Sequence, residues 1–561
     1  MSYTSINFIF FVLGTALIYF VLPWKKYRWT VLLAASAVFY CLASYKYAVF
    51  ILFTALSTML IGLWLDRVNT NAKAFLKSKK GEWDRDRKKK FKNSLKVKKR
   101  WIMALCLILN FGILAFLKYY NFFAGSLNDI LGSFGVSFSA PTLNLFLPLG
   151  ISFYTFQSMG YIVDVYREKT QPQTNPFKFL LFVSFFPQII QGPISNYEQL
   201  AHQLFDGHDF DFTRFKHGSQ LILWGFFKKL VIADRAVVAI NTVTASPQGY
   251  SKYSGTTLAF TVLLYAFQLY ADFSGGIDIS RGVAQIFGID MIDNFKRPYF
   301  SKSINEYWRR WHISLGAWMK DYVFNPLAIS SAFLNASKKM RGTRFGKTKA
   351  GAHIAKVLPT AFASLIVFLL VGIWHGASYK YVAFGVWNGV IIMLSTLMQP
   401  LFDGVTDKLH INRKNFFFRL FQMLRTFLVV LIGYVFDVAP TFEQGMMTIS
   451  RFFTDQSLSR FKQVVVNVFH LLTGKKYTPV TQLLNLGLLW KDYVLLAACV
   501  IVIWTVSMIQ EKHSDTTLRE MLDKKPFILR FVLYYLCVMA IIIFGIYGSG
   551  YAASDFVYMQ F

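Results

Sequence analysis

The stretch LIVFLLVGIWHGAS, Leu365 to Ser378, decides the architecture of this chain. It follows SKKMRGTRFGKTKAGAHIAK, Ser337 to Lys356, which is basic without a single acid. An apolar run behind a basic flank reads as a helix crossing ~30 Å of hydrocarbon at ~1.5 Å per residue, with its basic end in the cytosol. The run ends in His375, where Gly372 and Gly376 let backbones approach closely.

The same pattern recurs outward in both directions. With 55% hydrophobic residues and a mean hydropathy of +0.40, the 561-residue chain is too apolar for an ordinary soluble domain. Apolar stretches between short polar loops predict an all-α polytopic membrane protein with about 11 to 14 helices crossing or re-entering the bilayer. Nothing alternates as barrel strands do. Heptads, repeats and Gly/Ser linkers are absent too, so residues 1–561 read as one transmembrane domain.

The formal charge of +31 sits in the loops, which reads as a topology signal and excludes nucleic acid as a partner. Asn71 to Arg100 holds 14 Lys+Arg against 3 Asp+Glu and is expected as a solvated cytosolic loop, helical or irregular, that acts first as an orientation signal, with contact to anionic lipid headgroups as the second reading. Lys25 to Arg28, Ser337 to Lys356 and Lys408 to Arg419 fall on the same side. The N-terminus, the stretch 441–479 and the tail GSGYAASDFVYMQF are then extracellular. Asn7 to Leu22 has its basic cluster behind it, opposite to a cleavable signal, and is expected to remain as the first membrane helix. Cys41, Cys106, Cys499 and Cys537 have no metal-like spacing, and no metal site is expected.

Two segments depart from simple spans. FLLFVSFFPQIIQGPIS breaks at Pro187 and Pro193, and a helix broken at membrane depth must be covered by protein or line a cavity. NEYWRRWHISLGAWMKDYVFNP, Asn305 to Pro326, mixes Trp308, Trp311, Trp318 and Tyr322 with Arg309, Arg310 and Lys320, as an interfacial or re-entrant helix does.

Ionisable groups in apolar spans are either paired or functional. His375 ends its span, and His312 lies in RRWHISLGAW. In LYAFQLYADFSGGIDISRG, residues 268, 272 and 275 share a helical face, so Gln268, Asp272 and Ser274 are further candidates. Asp272 has several readings open: orienting a histidine, pairing with Arg281 or Arg297, or binding a cation. Walker, GxSxG and HExxH signatures are missing, which leaves histidine as the general base suited to neutral pH.

QLYADFSGGIDISRGVAQIFGI, DNFKRPYFSKSINEYWRRWHISLGAWMKDYVFNPL and GIWHGASYKYVAFGVWNG together resemble the bacterial branch of the membrane-bound O-acyltransferase family. That branch includes alginate and peptidoglycan O-acetylation proteins and the teichoic-acid D-alanylation protein. LPLGISFYTFQSMGYIVDVYR and FFPQIIQGPI extend the match, while 71–100 and 441–479 are long for the family. The resemblance implies a helical bundle with a through-membrane tunnel in a bacterial plasma membrane. It assigns His375 and His312 as catalytic, with Gln268, Asp272, Ser274, Trp308, Arg309, Trp311 and Trp374 as substrate or tunnel residues.

The implied reaction moves an acyl group, acetyl first, from a cytosolic thioester to a hydroxyl of an extracellular polysaccharide or cell-wall glycan. The donor is acetyl-CoA or an acylated carrier protein, used as a co-substrate with no tightly bound cofactor. Transfer is either direct or through a secreted acyltransferase or esterase-like partner. D-alanyl transfer to teichoic acid is the alternative within the class, and a proton-coupled transporter or flippase the alternative outside it. Against transport, the chain lacks matching halves.

Overall fold

The computed structural model describes residues 2–136, 138–455 and 486–547, together with Lys462 and Val466. It is helical, with one isolated bridge between Phe295 and Trp311 as the sole extended pairing among the described residues. Eight of the described helices are long and apolar enough to cross a membrane, so the chain is a multi-pass membrane protein. The first helix, Ile6–Val21, is apolar but shorter. Backbone contacts divide the chain into two units, Met1–Ile222 with Ile277–Ile292, and Leu223–Gly276 with Asp293–Phe561.

The first unit contains α1 (Ile6–Val21), α2 (Arg28–Ser44), α3 (Ala48–Ser78), α4 (Arg85–Ser133), α5 (Ile151–Tyr166) and α6 (Pro176–Ser184). The basic segment 71–100 proves helical on both sides of a tight turn. Its Lys and Arg side chains are good helix formers that reach solvent from any face, and Asp84 caps α4 by accepting from the Arg87 amide at 2.8 Å. Phe75, Trp83 and Phe91 close the turn with ring centroids 5.3 to 5.7 Å apart. At its base, Lys73 and Lys99 both bind Glu168, at 2.8 and 2.9 Å. Those two hydrogen bonds hold the Glu168 carboxyl below its ordinary range.

The proline-broken segment is buried throughout, as the chemistry of its backbone requires. After α6 stops at Ser184, only the turn Phe186–Ile189 is helical. The freed backbone groups are taken up by distant side chains. Tyr3 donates to the Pro187 carbonyl at 2.7 Å, Ser280 donates to the same oxygen, and Ser36 accepts from the Phe186 amide at 3.1 Å.

The second unit is built on α7 (Gly255–Ile286, its residues to Gly276), α8 (Ile304–Arg310), α9 (Ile313–Met319), α10 (Lys349–His375), α11 (Tyr379–Leu397), α12 (Phe416–Val438), α13 (Trp490–Lys512) and α14 (Phe527–Phe544). The apolar window of α7 is 72% buried and that of α14 is 0% buried, so α7 is a core helix and α14 faces lipid. Of the stretch 441–479, residues 441–455 are described and hold the helix Phe442–Thr454; the remainder, Lys462 and Val466 apart, lies outside the described residues, as does the tail 548–561.

The hairpin of α10 and α11 packs through glycine. A Cβ on Gly372 would run into the Tyr381 carbonyl and lie 2.9 Å from Gly385 Cα; a Cβ on Gly385 would lie 2.5 Å from the Phe368 carbonyl oxygen. Backbones this close gain dispersion along their length, which is what drives helix association where lipid is as apolar as leucine. Gly385→Ala should therefore destabilise the protein by about 1–3 kcal/mol through overpacking. Gly404→Ala, where a Cβ meets nothing within 4 Å, is the control. A thermal midpoint that falls for the first and not for the second is the expected result.

Candidate active site

Sequence order separates His312 from His375, and the second unit brings them to one place. Asn305 to Pro326, expected as one amphipathic helix, is instead α8 and α9 joined at a break. His312 sits at that break with φ 47° and ψ 54°, a left-handed conformation unusual for a non-glycine residue. Asn294 holds the turn from the side. Its Oδ1 accepts from the Ser314 amide at 2.9 Å and its backbone carbonyl accepts from the Ile313 amide at 3.0 Å.

This arrangement fixes the tautomer of His312. The Ser314 amide needs an oxygen opposite it, so the Asn294 atom facing His312 Nδ1 at 3.3 Å is an acceptor. Nδ1 therefore carries the proton, and Nε2 is the basic nitrogen. The ring is 2% exposed and meets Phe273 of α7 edge-on, 4.8 Å between centroids.

His375 is the last residue of α10. Its ring stands 5.3 Å from Trp374, 5.1 Å from Phe384 and 6.2 Å from Tyr381. Trp374 is also 6.1 Å from His312, so one indole lies beside both imidazoles.

The tryptophans predicted for the site are structural walls around it. Trp308 donates Nε1–H to Asn388 Oδ1 of α11 at 3.1 Å and lies 5.0 Å from Phe368. Trp311, buried, stacks on Tyr307 at 5.7 Å and meets Phe295 edge-on at 4.9 Å. Two imidazoles from separate elements, one buried and one half-buried among aromatic rings, can move a proton to and from a reacting hydroxyl.

Residues 171–345 match the sequence profile of the membrane-bound O-acyltransferase family; His312 lies inside that interval and His375 beyond it. The chain is similar to the probable alginate O-acetylase AlgI of Pseudomonas syringae pv. tomato, at 31% identity over 437 residues, 78% of this chain and 72% of the relative. It is similar to the peptidoglycan O-acetyltransferase of Helicobacter pylori at 30% identity, over 62% of this chain and 64% of that protein. The teichoic acid D-alanyltransferase of Bacillus subtilis is 31% identical over a shorter span, 45% of this chain and 60% of the relative.

The chain belongs to the membrane-bound O-acyltransferase family. It is accordingly an O-acyltransferase.

In this acyltransferase the remaining predicted residues divide by position. Gln268, Asp272 and Ser274 are all buried on α7. Asp272 pairs with Lys229 at 2.7 Å, and Lys229 also meets Asp234 at 2.8 Å. Ser274 accepts from Lys228 at 2.8 Å. Both lysines come from the π-helical turn Phe227–Ala233, whose extra residue per turn brings two adjacent side chains onto α7. Arg309 is exposed, whereas its neighbour Arg310 binds Glu306 at 2.7 Å and Glu511 at 3.0 Å.

Asn294, Asn388, Tyr307 and Lys229 escaped the sequence reading. The signal for Lys229 was present as two lysines inside the apolar stretch LILWGFFKKLVIA, since a charge at membrane depth needs a partner. Removing that partner tests the pairing. Lys229→Met removes the cation that two buried carboxylates share and should cost about 3–5 kcal/mol of stability. The variant that also carries Asp234→Asn and Asp272→Asn should regain most of the thermal midpoint.

Proposed function

We propose that this acyltransferase moves an acetyl group from a cytosolic thioester to a hydroxyl of an extracellular polysaccharide or cell-wall glycan, directly or through a secreted partner. His375 is the general base. As the acceptor oxygen attacks the thioester carbonyl carbon, His375 takes the hydroxyl proton. When the carbon–sulfur bond breaks, the proton passes to the departing thiolate, giving the ester and the free thiol. Base catalysis of this kind is typically worth ~10² to 10⁴-fold. His312, with Nδ1–H held by Asn294, keeps Nε2 fixed for orienting the thioester or the acceptor.

The observation that carries this reading is the placement of His312 and His375 beside the same indole, Trp374. Acetyl is favoured over D-alanyl because the relatives that align over more of the chain are named as O-acetylating proteins. Basic segments at the Lys349 end of α10 put that end in the cytosol and His375 toward the outside, where an acceptor glycan arrives. By the same rule both termini are extracellular. The donor enters as acetyl-CoA or an acylated carrier protein, and a tunnel through the bundle joins the two sides.

The test is transfer of label from radiolabelled acetyl-CoA to crude cell-wall glycan in membranes holding the protein, with His375→Ala at equal abundance. Labelled glycan with wild type and a loss of about 10²-fold or more in the variant are expected. Undiminished transfer by the variant would remove His375 from catalysis. Label transferred only from a D-alanyl carrier would move the reading to teichoic acid.

A further inference from the structure

Lys380 is the second residue of α11, just past the turn Gly376–Ser378 that follows His375. Its Nζ donates to the Asp437 carbonyl at 3.0 Å and to the Ala439 carbonyl at 2.9 Å. These lie at the C-terminal end of α12, where a helix leaves carbonyls without intrahelical donors and where its dipole favours a cation. The Asp437 side chain is buried and accepts from the Tyr265 hydroxyl of α7 at 2.8 Å. The end of α12 is thereby fixed to α7 on one side and to the head of α11 on the other.

Lys380 does not read as an orientation signal. α10 carries Lys349 and Lys356 at one end and His375 at the other, so Lys380 stands at the end away from the basic segment 337–356. What lies next to it explains its place. The ring of Tyr381 packs so closely on Gly376 that a Cβ there would collide with it, and the Tyr381 carbonyl presses on Gly372 in the same way. Tyr381 is also one wall of the His375 ring, at 6.2 Å, together with Phe384 at 5.1 Å. Since His375 ends its helix, these walls and Trp374 set the direction of its imidazole.

We propose that Lys380 is a positioning residue for acyl transfer: bound to the terminal carbonyls of α12, it fixes Tyr381 and, through Tyr381, the imidazole of His375. This rests on the reading of His375 as the general base, and its test includes a readout independent of that reading. Purified full-length protein is compared as wild type, Lys380→Met and Lys380→Arg. Two quantities are read: kcat and donor KM for acetyl transfer, and the rate at which diethyl pyrocarbonate modifies His375, followed by mass spectrometry.

Misplacing a catalytic group by about 1 Å costs on the order of 10²-fold, so Lys380→Met should lower kcat by about 10- to 100-fold. Donor KM should stay within about threefold, because what is lost acts in the transition state. The modification rate of His375 should change severalfold in the same variant. Lys380→Arg, whose fork also reaches two carbonyls, should restore most of both. If the methionine variant does not accumulate, Lys380→Gln against Lys380→Arg carries the same comparison.

A methionine variant with wild-type kcat and wild-type His375 modification overturns the proposal, and so does lost transfer with His375 modification unchanged. Absence of transfer by wild type would refute the acetyl-transfer reading alone, and the modification rates would still decide the role of Lys380.

Discussion

The backbone contact between Gly372 and Gly385 is the constraint on which the rest of the second unit depends. Inside a bilayer, apolar side chains gain little by leaving lipid for protein, so close packing must hold helices together. Gly372 on α10, with Gly385 and Gly389 spaced four apart on α11, supplies it. Because the hairpin is that tight, Trp374 and His375 come off the end of α10 with Tyr381 and Phe384 already against them. One turn further along α11, Asn388 takes the Trp308 indole and so ties α8 to the same hairpin.

The partner histidine is held by the opposite device, a break instead of a continuous helix. A non-glycine residue in the left-handed region costs on the order of 1–3 kcal/mol and persists only where its surroundings impose it. Here Asn294 offsets that cost with contacts to Ile313, Ser314 and His312 itself. The outcome is an imidazole with a defined tautomer, placed beside an indole that a rigid hairpin also fixes. Positioning prepared before substrate arrives is the form of catalysis that a buried, aromatic-walled site serves best.

Much of this was legible in the sequence because it is local. Hydropathy marked the spans, the prolines marked the break after Ser184, and His375 and His312 stood out as ionisable groups in apolar company. What the sequence did not disclose depends on contacts between distant segments. Asn294 looks like any loop asparagine until its oxygen is found under the His312 turn, and the partners of Lys380 emerge only when α12 is found behind it. Asp272 drew notice as a candidate ligand, yet its carboxylate is committed to Lys229, 43 positions earlier in the chain. The basic stretch 71–100 gave no apolar period because its helices stand in water, where periodicity has no core to answer to.

The central claim is that α8–α9 and the α10–α11 hairpin form a single acyl-transfer site around Trp374. Photocrosslinking with a thioester that carries a photoreactive acyl chain, followed by peptide mapping, tests it most directly. The account predicts label on peptides from both segments, 305–319 and 372–385, with competition by unmodified acetyl-CoA removing it from both together. Competable label confined to residues outside these two segments, with neither of them marked, would contradict it.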